Sequence, residues 1–453
     1  MSDSYLNIDS PETGLARLKR EIILAGLCCG CGTCVGVCPT DALQIPEGDS
    51  YFPIIDEQRC IGCGECYEVC PGKGYPVTQW SRETSDADTE FYPLRGPVRK
   101  YLIGFSTDEA IRAESASGGI ATGLLLHLLK TKSVDQVLVV SMKGGRPQAK
   151  FTDDQNDVRE ALQSKYGPVP TMSLIKEIKD NPREIAIVAT PCQLAGWKAA
   201  AQRIPILKEC LKLSIGLFCG QVQSYDSLKA IAMTLGCDYP EHAEFIGWRC
   251  GAYPGSERFH TDQGAILDKP LYQWLDVAVP YFNLQRCILC PDGANWLADM
   301  TLGDIHSGGY DETVIVCRTK RAEEVLSAAK ESGEIFYKKM EMADVERCVI
   351  SGITRSKLLP ALYRNRLRVR KGLLVPQFDY EQRLLADIPI FRGILFRVHY
   401  AIWNYIRKGW RPEFFLSHPW LMEKVGHFVY CFPVSLPGWK PIRRIIKYIL
   451  KRN

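Results

Sequence analysis

No stretch of this 453-residue sequence approaches the roughly 18 unbroken apolar residues of a membrane span. The most tempting segment, 391–406, is broken by Arg392 and Arg397. The opening MSDSYLNIDSPETG is acidic and has no apolar centre, so it does not read as a secretory signal. These absences lead us to expect a cytoplasmic protein. There is neither a G-x-G-x-x-G after a strand nor a G-x-x-x-x-G-K-[ST], so no common phosphate loop is there to hold a flavin or nucleotide. Basic residues are not accompanied by a recognised nucleic-acid-binding motif, and no nucleic-acid partner is expected. With 46% hydrophobic and 24% charged residues, the chain has ample material for a core, which excludes disorder as its dominant state.

Cysteine, by contrast, is abundant. There are 19, and nine lie between Cys28 and Cys70. In a cytoplasmic chain that density points to metal or redox chemistry rather than to disulfides. Charge is unevenly spread. Residues 355–453 carry 20 Lys+Arg against 5 Asp+Glu, whereas 1–354 carry 36 against 47. An acidic body therefore bears a basic tail, a split that suits docking or a membrane surface.

Residues 21–80 contain an internal repeat, 32 residues apart. Cys28, Cys31, Cys34 and Cys38-Pro39 follow C-x2-C-x2-C-x3-C-P, and Cys60, Cys63, Cys66 and Cys70-Pro71 follow it again. A cubane cluster needs four thiolates at tetrahedral corners. Two-residue gaps let three of them come from one tight loop, and the fourth cysteine of each run ligates the other cluster. The expected ligands are Cys28, Cys31, Cys34 and Cys70 for the first 4Fe–4S cluster, and Cys60, Cys63, Cys66 and Cys38 for the second. A pair of structural zinc sites would need no such interlocked Cys-Pro runs. Cys29 falls outside the spacing.

The remaining organisation is coarser. Residues 1–20 form an amino-terminal extension, 21–80 an α+β module like bacterial ferredoxins, and 81–97 a polar, proline-punctuated linker. Residues 98–350 have α/β texture: a helix at Ile120–Lys130, and strands at 134–142, 184–190 and 212–220. Residues 351–453 are a basic, aromatic and mainly helical extension. Near its end Ile442, Ile445, Ile446, Ile449 and Leu450 make an i, i+3, i+4, i+7, i+8 stripe opposed by Arg443, Arg444, Lys447, Lys451 and Arg452.

Four more cysteines draw notice: Cys192 and Cys219 at strand ends, where α/β folds place their sites, and Cys287 with Cys290 in a C-x-x-C. A third cluster, a zinc site, a redox dithiol and plain core residues all fit this spacing. A nucleophilic Cys192 is conceivable, but no histidine is suggested as its partner. Cys210, Cys237, Cys317, Cys348 and Cys431 read as core residues. Ser115-Ala-Ser-Gly-Gly119 runs into an apolar helix and could bring backbone N–H groups against a phosphate, or could be an ordinary capped helix start.

Taken together these segments resemble the beta subunits of coenzyme F-420 hydrogenases and dehydrogenases, flavoproteins that handle a deazaflavin hydride carrier. The resemblance rests on SASGG (115–119), SKYGPV (164–169), ATPCQLAG (189–196), GLFC (216–219), CILC (287–290) and LADMTLGD (297–304), in the family's order. The double-cluster module resembles that of the F-420H2 dehydrogenase input subunits. The resemblance implies FAD in the α/β domain beside a third 4Fe–4S cluster ligated by Cys192, Cys219, Cys287 and Cys290, with Cys250 in reserve. It also implies a flavin site formed by Ser115, Ser117, Gly118, Gly119, Lys165, Tyr166, Thr190, Gln193 and Arg249, with Lys165 and Arg249 as the basic mouth for F-420. The pattern does not reach residues 355–453.

The implied activity is that of an oxidoreductase converting two-electron to one-electron transfer: hydride exchange with F-420 at the flavin, then relay through the clusters to a ferredoxin or a larger complex. The chemistry belongs to the cofactors; the protein supplies spacing and potential. Two rivals are a ferredoxin-linked reductase of another organic substrate and a non-catalytic wiring subunit without flavin. For the tail, peripheral membrane contact, with Trp403, Trp410, Trp420 and Trp439 as anchors, competes with docking on a partner subunit and with internal packing.

Overall fold

The computed structural model describes residues 13–48, 50–92, 94–304 and 312–380. The amphipathic stripe and tryptophan anchors expected in the tail, and Cys431, lie outside these residues. Among the described residues no helix is long and apolar enough to cross a membrane.

The amino-terminal module is built on the internal repeat. Gly32 and Gly64 take left-handed conformations, with φ +81° and +79°, and start the short helices Thr33–Gly36 and Glu65–Glu68. Gly30 and Gly62 repeat the same device, with φ +68° and +71°. Only glycine adopts such angles cheaply, so each cysteine loop can coil tightly enough to direct three thiols inward. A two-stranded ribbon pairs Leu43–Gln44 with Ile54–Ile55. The module ends in helix α1 (Val77–Thr84), followed by a hairpin that pairs Glu90–Tyr92 with Gly96–Val98. The stretch read as a linker, 81–97, therefore folds against the body. Its Phe91 packs edge-on to buried Trp296 and under the Arg82 guanidinium. Polar composition concealed two aromatic contacts, one of them made far along the chain.

The body is a mixed eight-stranded sheet. Its strands are β1 (Lys100–Ser106), β2 (Gln136–Lys143), β3 (Arg146–Thr152), β4 (Ile185–Ala189), β5 (Leu211–Leu217), β6 (Met300–Asp304), β7 (Thr313–Cys317) and β8 (Ile335–Lys339), in spatial order β8-β1-β7-β6-β5-β4-β2-β3. β2, β4, β5 and β6 run parallel, and β3, β7, β1 and β8 join antiparallel to a neighbour. Helix α2 (Ile120–Lys130) covers one face and α3 (Pro191–Arg203) the other. Along β4, Ile185, Ile187 and Ala189 enter one core and Ala186 the other. Burial on both faces explains why the strand reads as an unbroken apolar run.

Between β5 and β6 the chain forms a third layer. An antiparallel sheet of Ala243–Cys250, Ser256–Thr261 and Ile266–Pro270 packs against helices Asp226–Thr234 and Leu271–Phe282 around Trp274, Phe245 and Phe259. Downstream, helix α4 (Ser356–Val369) turns back across the body, and Gln377–Phe378 pairs in parallel with Gly74–Tyr75 of the module. The Asp379 carboxylate accepts from Thr78 and Gln79 N–H at 2.7 and 2.8 Å, capping α1. Residues 351–380 of the expected extension thus belong to the packed body. Val37, Val69, Tyr75, Val77 and Trp80 share one core with α3 and Trp296, so module and body are continuous.

Candidate functional site

The parallel strands deliver their functional residues at their carboxyl ends. β4 leads into Thr190 and Cys192, β5 into Cys219, and β6 ends at Asp304. The module docks on this edge: Met172 N–H donates to the Cys31 carbonyl at 2.9 Å, and Gly32 sits against Pro170. The close approach of α3 needs Gly196, because a Cβ there would strike Thr33 Oγ1.

The first expected ligand set is brought together. Cys28, Cys31, Cys34 and Cys70, with Cys29, line one pocket of about 490 Å3, open mouth included. Burial, followed by the neighbouring sulfurs, raises the Cys34 thiol well above its ordinary value. Burial pushes the Cys70 thiol up to about 12. Cys66 lies within electrostatic reach of Cys63, Cys38 and Cys60, and burial pushes it up to about 12. That is the second set, and its Cys63 is exposed.

The four body cysteines also converge. Cys219 has Cys287, Cys192 and Cys290 around it, and burial pushes its thiol up to about 12. Burial pushes Cys287 up to about 11. Among the described residues no three of these side chains converge on a point that could hold a single ion. A cubane takes one thiolate at each of four different irons. The donor set and the sulfur-lined pocket suit cubanes.

Cys29 is not an idle neighbour. It is buried within electrostatic reach of both Cys192 and Cys31, and its proximity lowers the Cys192 thiol from its ordinary value. The first and third sulfur groups therefore share a wall. Cys250, held in reserve, stands elsewhere, 3.9 Å from Gln163 Oε1. Cys210, Cys317 and Cys348 are buried in hydrophobic clusters, and Cys237 is buried as well.

Two cations border the third group. Lys357, from α4, donates its Nζ to the Cys219 carbonyl at 2.7 Å and lies 3.9 Å from Cys219 Sγ. Arg286 is 1% exposed and donates to the carbonyls of Pro71 and Gly72 at 2.8 and 3.2 Å. Sequence reasoning missed both: Lys357 is 67 residues from the nearest of these cysteines in sequence, and Arg286 looked like one more residue of the C-x-x-C loop. Asp292 is buried beside them, its carboxylate accepting from Asn295 N–H at 2.8 Å and Tyr75 Oη–H at 3.1 Å.

The residues expected around a flavin divide into two groups. Arg249 is 2% exposed and links several of them: its guanidinium donates to Tyr166 Oη at 3.2 Å, Asp304 Oδ2 at 3.0 Å and the Ala116 carbonyl at 2.7 Å, and also to the Pro254 carbonyl. This fastens the 115–119 loop to the end of β6. Gly119, with φ +76°, opens α2, and no side chain caps the helix start. Ser115 Oγ–H is spent on the Ile111 carbonyl, and Ser117 Oγ pairs with Thr313 Oγ1 at 3.0 Å. Gly118 accepts from Ser106 N–H through its carbonyl.

The other group is committed to positioning. Thr190 N–H donates to Gln193 Oε1 at 2.8 Å, and Gln193 Nε2 donates to the Val169 carbonyl at 3.2 Å, which caps the helix carrying Cys192. Lys165 turns its Nζ onto the carbonyls of Ala161, Leu162 and Gln163. Burial pulls its ammonium down to about 7, so it is not an outward-facing basic residue.

Residues 101–176 and 182–343 match the family models for the N-terminal and C-terminal parts of the coenzyme F-420 hydrogenase/dehydrogenase beta subunit, and 27–74 match a 4Fe–4S dicluster domain. Over 326 residues the chain is 25% identical to the coenzyme F-420-dependent sulfite reductase of Methanocaldococcus jannaschii, covering 69% of this chain and 47% of that protein, about half its length. It is 25% identical to the beta subunit of the coenzyme F-420 hydrogenase of Methanosarcina barkeri, covering 55% and 84% of the two chains. It is 23% identical to a subunit of the F-420H2 dehydrogenase of Methanosarcina mazei, covering 70% and 86%. A chain of the F-420-reducing NiFe hydrogenase complex of Methanosarcina barkeri shares the fold, with TM-score 0.52 and 20% identity over 64% of this chain and 100% of that one.

Proposed function

The chain belongs to the coenzyme F-420 hydrogenase/dehydrogenase beta-subunit family and carries a 4Fe–4S dicluster domain, and from that premise we propose an iron–sulfur flavoprotein oxidoreductase. It exchanges a hydride with F-420 and passes single electrons to a protein redox partner. The observation that carries this reading is the continuity of the sulfur groups: buried Cys29 lies within electrostatic reach of both Cys31 of the module and Cys192 of the body.

FAD, when bound, supplies the change from hydride to single electrons. The protein's part is to bind and orient. The uncapped start of α2 at Gly119 offers first-turn N–H groups to a phosphate, with the helix dipole in support. Arg249 does not bind outward. It locks Tyr166, Asp304 and the 115–119 loop into one rigid wall, with Trp274 packed edge-on to Tyr166. Cys192, Cys219, Cys287 and Cys290 would hold the cluster beside that wall, and the Cys28–Cys70 module would carry electrons to exposed Cys63, the outlet to a ferredoxin or larger complex.

The test is anaerobic. Protein reconstituted with iron, sulfide and FAD should reduce a viologen dye with F-420H2 and not with NADH. Bound flavin and about twelve irons (three cubanes) without turnover would reject F-420 as donor and turn the reading to a ferredoxin-driven reductase. A preparation that binds no flavin would remove both enzyme readings and leave a wiring subunit.

A further inference from the structure

Lys357 and Arg286 are cations with no ion-pair partner: neither forms a salt bridge with a carboxylate among the described residues. Their hydrogen bonds go to backbone carbonyls and, for Lys357, also to the Cys219 sulfur at 3.9 Å. Removing a positive charge from water without a counter-charge is expensive. A fold keeps such a charge only where something negative stands next to it. The nearby carboxylate, Asp292, accepts from Asn295 and Tyr75 and also lies within electrostatic reach of Lys357, but its influence there ranks below those of the Cys219, Cys290 and Cys287 sulfurs. The main negative neighbours are thus the sulfurs of Cys219, Cys290 and Cys287, with Cys192 beside them.

We propose that Lys357, supported by Arg286, is the counter-charge of a cluster held by Cys192, Cys219, Cys287 and Cys290, and that it raises this cluster's reduction potential above that of the same cluster without it. The inference rests on the third-cluster part of the proposed function. A cubane with four thiolates is anionic, and reduction adds one electron with no bond made or broken, so the reduced state carries one further negative charge. A fixed positive charge a few ångströms away, in a poorly polarisable interior, stabilises the reduced state more than the oxidised one. The first acceptor beside a two-electron donor would thereby become a good electron sink. Lys357 also lies beyond both stretches matched by the family models, which end at 176 and 343. The segment after 343 therefore contributes a potential-setting residue of its own. Lys357 acts here as a positioning charge that touches the cluster's ligand loop, with no part in bond chemistry.

The experiment compares the anaerobic holoprotein with Lys357→Met and Lys357→Arg, by iron content and by EPR-monitored redox titration of the full chain. The expected result is about twelve irons in the parent, with one of three midpoints lowered in Lys357→Met and restored in Lys357→Arg. The shift should be at least tenfold in the one-electron equilibrium, about 59 mV. Twelve irons with all three midpoints unmoved in Lys357→Met would overturn the proposal and leave the third cluster standing. If Lys357→Met fails to retain its third cluster, the arginine variant decides. Retained irons at the parental midpoint support a role for charge, and a lowered midpoint despite the retained charge overturns it. Eight irons in the parent would overturn the third-cluster reading, and this proposal with it.

Discussion

At the residue scale, several charged groups of this protein are turned inward, and their surroundings decide what each can do. Burial pulls the Lys165 ammonium down to about 7, and the nearby Cys250 sulfur only partly opposes it. Glu334 is the reverse case. Burial works to raise its pKa, but hydrogen bonds from Ser332 and Lys130, the Lys130 charge and His127 outweigh this and hold it down to about 2. A carboxylate with a depressed folded pKa stabilises the fold fully above the ordinary value near 4.5 and loses that contribution as pH falls through about 2. Glu334→Gln should therefore lower stability at neutral pH and make it less steep between those two pH values. Parallel denaturant titrations at pH 7 and pH 3 check this, and a constant difference between parent and variant would refute it. Because the pair is only partly shielded, the neutral-pH loss should be small, about 1 kcal/mol.

At the scale of elements, glycine sets how closely the pieces approach. α3 meets the module through Gly196, whose added Cβ would collide with Thr33 Oγ1. Helix propensity alone would favour alanine there by about 1 kcal/mol. Overpacking at a tight contact costs about 1–3 kcal/mol, and the side chain it meets is fully buried Thr33, beside the first ligand loop. Gly196→Ala should accordingly destabilise the chain and loosen the module, seen as a lower Tm and faster protease cleavage within residues 13–80. An unchanged Tm would show that the Thr33 side chain moves aside freely.

These contacts mark what could be read from the sequence. Ligand spacing is local, so the cysteine repeat and the dicluster domain were legible, as were the helix 120–130 and the buried strand at 185–189. The grouping of Cys192, Cys219, Cys287 and Cys290 was only suggested by strand ends and a C-x-x-C, and needed the resemblance to become specific. Lys165 and Gln193 were assigned to a ligand because their motifs pointed there; their polar atoms are occupied with backbone, and sequence pattern does not show hydrogen-bond direction. Arg286 and Lys357 could not be found at all, because their significance comes from contacts more than 130 residues apart in the chain.

At the scale of the whole molecule, an acidic body carries the basic segment 355–453. Its first part, to residue 380, packs on the body but leaves Val369, Leu373 and Leu374 exposed. Removing 391–453 should release the protein from anionic liposomes while leaving the iron content unchanged, with cosedimentation and iron assay as the readouts. Binding that survives the deletion would place the lipid contact elsewhere.

The parallel bridge between Gly74–Tyr75 and Gln377–Phe378 bears on how the protein is made. On a ribosome, both ligand loops of the module emerge early, and Cys290, the last of the twelve expected ligands, emerges roughly ninety residues before the segment that pairs with the module. At about 5–20 residues per second, that leaves several seconds in which all twelve thiols are translated and the wall carrying Lys357 is not yet in place. The strand Gln377–Phe378 therefore joins the module only after every expected ligand has been translated.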